Sequence, residues 1–197
     1  MSPRTALVGA ALVLVGCAHT VLVDDQLGYE RRQSQLEAIS DWSIDGRLTV
    51  DTGERGYQAR FSWQQHDGEL ELLVRGLLGA RSFRIEGDET RLTVQSRGET
   101  EVLTDPELQL SEMLGWWLPV TSVEHWLLGR PDPGYPADTA RGAFDTLSML
   151  NQREWAIRYE EYQLADGRLI PRHIVLSDAP LTLQLFVTDW ESAADAP

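Results

Sequence analysis

From Trp42 onward the apolar residues of this chain recur with a period of two, and that pattern limits what it can fold into. In "WSIDGRLTV", Trp42, Ile44, Leu48 and Val50 share one face, and Ser43, Asp45, Arg47 and Thr49 the other. A strand with one buried side reads this way. The pattern returns in "YQARFSW" (Tyr57, Ala59, Phe61, Trp63) and in "ELELLV" (Leu70, Leu72, Val74), then more briefly at Phe83 and Ile85 and at Leu92 and Val94. "DTGERG", "HDGE", "EGDET" and "SRGE" lie between these runs and supply hairpin turn chemistry. An antiparallel meander is expected.

The middle of the chain changes period. "TDPELQLSEMLGWWLP" offers Asp105 as an N-cap, Pro106 at the first helical position, and Leu110, Met113, Leu114 and Trp117 at helical intervals. "TSVEHWLLG" repeats the logic, with Thr121 and Glu124 as a capping box and Gly129 as terminator. "RPDPGYPAD" reads as a loop, and strands resume around Phe144 to Leu147, then in "EWAIRYEEY", "LIPRHIVL" and "LTLQLFVTDW". Ahead of the sheet, "YERRQSQLEAIS" reads as a short amphipathic helix. Strands that each have one apolar face must close on something. The expected class is mainly β (α+β): a barrel or strongly curved antiparallel sheet of about ten or eleven strands wrapped over short α-helices, a geometry that can enclose a cavity. Alternation alone leaves open whether side chains fill that interior.

The N-terminus has a different constraint. Residues 1–16 have export-signal anatomy: Arg4, an apolar run from Ala6 to Val15, and Gly16 ahead of Cys17, the only cysteine in the chain. The run is well short of the roughly 20 residues a membrane-spanning helix needs. "LVGC" resembles a bacterial lipobox, which implies cleavage before Cys17 and its acylation. Ala18 in place of Asp then favours the outer membrane. The expected division is a signal peptide over 1–16, an acylated tether over 17–29, one domain over 30–190 and a disordered tail over 191–197.

The formal net charge is −14, from 31 acidic and 17 basic residues, and every basic residue is Arg. Such a body repels nucleic acid and anionic membranes alike, so any membrane contact must be covalent, apolar or very local. The chain has no G-x-S-x-G elbow, phosphate loop or dinucleotide fingerprint. His19, His66, His125 and His173 show no ligand spacing. No catalytic residue, metal or cofactor is assigned, and no enzyme is expected.

One connection breaks the rule that loops are polar. "RGLLGAR" places Leu77 and Leu78 between Gly76 and Gly79, bracketed by Arg75 and Arg81. The leucines either fold back into the core or form an apolar tip able to touch a bilayer, with the arginines near lipid phosphates. Together with "GRLTV", "FSWQQ", "GWWLPV", "HWLLGRP", "NQREWAIRYEEY", "LIP" and the closing "DW", this loop resembles the LolB family of outer-membrane lipoprotein receptors over Trp42 to Trp190. The resemblance implies an incomplete antiparallel β-barrel covered by helices, whose apolar cavity accepts the acyl chains of lipoproteins from the periplasmic carrier LolA, and a protein held in the outer membrane by acylated Cys17, expected to be monomeric. It assigns Leu78 the role of the exposed leucine needed for delivery, with Leu77 standing where the family has proline and Gly79 matching. Glu154 stands where the family has glycine. Candidate cavity residues are Phe61, Trp63, Leu72, Met113, Leu114, Trp117, Trp126 and Trp155, each of which also suits plain core packing. The alternative is a lipid-anchored structural or assembly protein whose barrel is filled.

Overall fold

The computed structural model describes residues 28–76 and 82–192. Helix α1 (Tyr29–Glu37) leads into a meander of β1 (Trp42–Asp51), β2 (Gly56–His66), β3 (Glu69–Gly76), β4 (Ser82–Gly87), β5 (Leu92–Ser96) and β6 (Glu99–Leu103). Helices α2 (Pro106–Leu114) and α3 (Val120–Leu127) follow. A second meander comprises β7 (Asp138–Arg141), β8 (Leu147–Gln152), β9 (Trp155–Ala165), β10 (Arg168–Asp178) and β11 (Leu181–Ser192). All pair in one open antiparallel sheet ordered β6-β5-β4-β3-β2-β1-β11-β10-β9-β8-β7. The first and last long strands thus join the two meanders, and β6 and β7 remain as free edges of a curled, unclosed barrel, the incomplete barrel that the family resemblance implies.

The tight turns follow the residue types closely. Asp67-Gly68, Arg97-Gly98 and Asp166-Gly167 all have positive φ at both positions, the geometry of two-residue hairpins. Arg153 and Glu154, joining β8 to β9, have φ of 52° and 69°. Here Glu154 occupies a left-handed conformation that glycine would adopt without strain. Gly46 is needed for a different reason. It sits at a register shift between β1 and β11, and a Cβ there would lie 2.3 Å from the Phe186 carbonyl oxygen and 2.7 Å from the Phe61 ring.

Some local expectations are corrected. Gly115, at φ 81°, ends α2 after Leu114, so Trp117 lies beyond the helix. Asp105 stands at the N-cap without a side-chain cap bond; Gln109 Oε1 instead accepts the backbone N–H of Thr104 and of Asp105 at 2.8 and 2.9 Å. The Thr121–Glu124 capping box does not form, because Pro119 is the N-cap of α3 and the Thr121 hydroxyl donates to Glu107 on α2 at 2.6 Å. Phe144 belongs to a 3-10 turn, not a strand, and is half exposed. β6 and β7 were not foreseen from the alternation.

Candidate functional site

Strand register arranges the inner face of β1–β6 in rows. In the first row Trp42, Gln65, Leu70, Leu92 and Leu103 are buried, with half-buried Gly87 between Leu70 and Leu92. In the next, Ile44, Trp63, Ile85 and Val94 are buried and Leu72 is half-buried. Then Phe61 is buried while Val74 and Phe83 are half-buried. Leu48 and Ala59 are half-buried, and in the last row Val50 is half-buried beside Tyr57, which is 51% exposed. Burial therefore fades toward the β1–β2 turn. The opposite end is closed by stacked indoles, Trp42 on Trp63 at 6.1 Å and on Trp190 at 5.5 Å, with Leu36 and Ile39 from the α1 region in the same core.

Most of the inner face of β8–β11 is covered, and only at the β9–β10 hairpin do Tyr162 and Ala165 become half-buried. Leu147, Leu150, Trp155, Ile157, Ile174, Leu176, Leu181, Leu183 and Val187 are all nearly inaccessible. A buried polar hub fastens α3 to this side. Gln152 Oε1 accepts from Trp126 Nε1 at 2.8 Å and from the Asp132 N–H at 2.9 Å, while its Nε2 donates to the carbonyls of Asp132 and Tyr135. Tyr159 donates its hydroxyl to the Trp126 carbonyl, and Ser122 to Asp132. Arg153 grips Glu107 through both η nitrogens at 2.8 and 2.6 Å, with its guanidinium over Tyr135 and Trp117. Burial alone would raise the Glu107 carboxyl; the hydrogen bonds from Arg153 and Thr121 and the charge of Arg153 outweigh it and hold the group below the ordinary range.

The eight cavity candidates divide accordingly. Phe61, Trp63, Trp126 and Trp155 are core residues with exposures of 4% or less. Leu72, Leu114 and Trp117 pack half-buried against that core, and Met113 is exposed. A cleft of about 300 Å³ lies outside the β8–β9 turn, lined by Pro136, Gln152, Arg153, Glu154 and Trp155. Sequence reading missed Leu48, Val50, Val74 and Phe83 as members of the half-open face; their positions late in β1 and β3 and early in β4 were the available signal. Cys17 and the loop residues Leu77, Leu78 and Gly79 lie outside the described residues. The strands joined by that loop meet at the less buried end, where Arg75 pairs with Ser82.

Two polar clusters were invisible to spacing. His66 lies with Nδ1 2.7 Å from Asp41 and Nε2 3.4 Å from Asp67, and donor atoms of the three are within 4.8 Å of one another. Sequence spacing does not foresee this grouping, in which Asp41 already accepts from Ser40 and from the Asp67 N–H, and these bonds lower its carboxyl. On α3, burial pushes Glu124 up to about 7 against the pull of Arg130, and burial together with Arg130 pushes His125 down to about 4.

Residues 40–190 match the family model described as "LolB: Outer membrane lipoprotein LolB". The outer-membrane lipoprotein LolB of Nitrosococcus oceani is 31% identical over 186 residues, covering 91% of this chain and 92% of its own. That of Pseudomonas aeruginosa is 29% identical over 199 residues, covering 97% of each. Among solved structures, a DUF1329 family protein from Desulfovibrio piger superimposes with a TM-score of 0.52 at 7% identity, over 86% of this chain and 93% of that one, a likeness of fold alone.

Proposed function

The chain belongs to the outer membrane lipoprotein LolB family, and from that premise we propose that it is a receptor anchored in the outer membrane through acylated Cys17. It accepts acylated lipoproteins from the periplasmic carrier LolA and delivers them to the membrane, without catalysing a reaction. The observation that carries this reading is the graded inner face of β1–β4, apolar and progressively uncovered toward one end. Leaving an acyl chain of about 16 carbons in water costs on the order of 12 kcal/mol, so cargo must pass from one apolar shelter to another. Leu48, Val50, Leu72, Val74 and Phe83 offer such a shelter.

No nucleotide motif is present in the chain, so transfer runs down an affinity difference, about 1.4 kcal/mol for each tenfold preference. A fluorescent acylated peptide titrated against the chain from residue 18 onward should bind saturably and near stoichiometrically; no binding would return the filled-barrel scaffold, which the four deeply buried aromatic candidates favour. For delivery, the proposed agent is the loop at Leu77, Leu78 and Gly79. Leu78→Glu should preserve peptide uptake and slow release into liposomes, and unchanged release would remove the loop from the mechanism. Cys17→Ser should leave an unacylated precursor, detectable by mass spectrometry.

A further inference from the structure

The outer face of the same strands bears a feature that cargo uptake does not use. Register places Arg47 directly opposite Arg60, and Arg60 directly opposite Arg75, so three arginines form one row across β1, β2 and β3. All three are exposed. Among the described residues none makes an ion pair with a carboxylate, whereas Arg84, one row away, is paired with Glu71 and Glu86. The flanking positions Thr49 and Gln58 are neutral, and on the other side Asp45 lies beside Ser62 and Leu73 and opposite Asp189 on β11. Arg47 also lies 5.8 Å from the Phe186 ring, on which His173 stacks at 4.1 Å.

Like charges directly opposite one another weaken an antiparallel pair. In a chain with 31 acidic residues and 17 basic ones, a row of three bare cations stands out against the charge of the whole. Neighbouring strands lie about 4.8 Å apart, so the row spans roughly 10 Å. That is close to the screening length at physiological salt, so the three charges act together while most of the acidic body is screened. Guanidinium groups match phosphate oxygens through two parallel hydrogen bonds.

We infer that Arg47, Arg60 and Arg75 form a docking stripe for the phosphate headgroups of an anionic bilayer, laying the outer face of β1–β3 against the membrane in which the protein is anchored. This rests on the outer-membrane location and is independent of cargo uptake. A basic residue near an anionic surface strengthens binding roughly fivefold, so three give up to about a hundredfold, reduced by the remaining acidic charge.

The test is co-sedimentation with vesicles of phosphatidylcholine alone or with about 30% phosphatidylglycerol. The chain from residue 18 is used, since the buried core among the described residues lies between Leu36 and Val187. Preferential binding to the anionic vesicles is expected, lost at about 0.5 M salt. Arg47→Gln, Arg60→Gln and Arg75→Gln together should lower it at least tenfold. The charge-matched triple Arg91→Gln, Arg158→Gln and Arg172→Gln should retain it. Absence of preference for anionic vesicles, as for a stripe that meets an acidic protein instead, or equal losses in both triples, would overturn the proposal. Arg60→Gln alone guards against misfolding: it removes two like-charge oppositions and should raise the melting temperature slightly while weakening vesicle binding. A lowered melting temperature with unchanged binding would mark the row as structural.

Discussion

The two meanders are built from the same alternation, yet they bury it differently. Along β8–β11 the inner residues are nearly inaccessible except at the β9–β10 hairpin, where Tyr162 and Ala165 are half-buried, and Gln152 ties α3 and the loop after it to them through four hydrogen bonds. Along β1–β4 the inner face is covered at the indole-stacked end and progressively uncovered toward the β1–β2 turn. One half is a fixed frame and the other an adaptable apolar wall. What separates them is the placement of buried polar bonds, which need one geometry, against aliphatic contacts, which tolerate several.

The contrast is most exposed to failure at its polar hub. Gln152→Ala strands the Trp126 N–H, the Asp132 N–H and two carbonyls, and should cost about 3–4 kcal/mol in denaturant unfolding. A loss under about 1 kcal/mol would mean the frame is not held there.

Paired truncations sharpen the comparison. Leu150→Ala, in the fully buried half, should cost about 3 kcal/mol and leave acylated-peptide affinity unchanged; Leu72→Ala, half-buried, should cost about 1–2 kcal/mol and weaken that affinity several-fold.

A third test uses pH. Glu124 is raised above its unfolded value, so the folded state holds its proton more tightly between about 4.5 and 7, and stability falls as pH rises through that window. His125 is depressed to about 4, so its contribution is lost as pH falls from about 6.5 toward 4. The two slopes oppose one another, and the parent protein should show a nearly flat profile. Glu124→Gln should melt higher than the parent at pH 8 and lose stability more steeply on acidification.

The smallest effect belongs to the turn that departs from the family. Glu154→Gly relieves a left-handed residue and should stabilise by about 0.5–1 kcal/mol. Melting curves of the two proteins check it.

Most of the fold was legible because ten-residue alternations between Asp-Gly and Arg-Gly turns admit few alternatives. The two strands that escaped are the sheet's edges. In β7 all four residues are exposed, and in β6 only Leu103 is buried, so neither has the apolar face that marks a strand. Glu99 and Glu101 on β6 suit an edge that must resist pairing with another chain. Trp117 was read into α2 because spacing continues past Gly115, whereas the backbone does not. Thr121 had the sequence of a cap and found a stronger partner in Glu107, contributed by another helix. The half-open wall was less legible than the core, because alternation records which face a residue occupies and not how far along the strand its cover extends. The arginine row depends on register across three strands, which spacing within one strand does not encode.

The central claim is that an acyl chain lodges against the uncovered wall of β1–β4 while the frame stays fixed. Hydrogen–deuterium exchange with and without a saturating acylated peptide measures this directly. Slowed exchange is expected in β1–β4, with β8–β10 unchanged. Protection centred on β8–β10, or none anywhere at saturation, would contradict it.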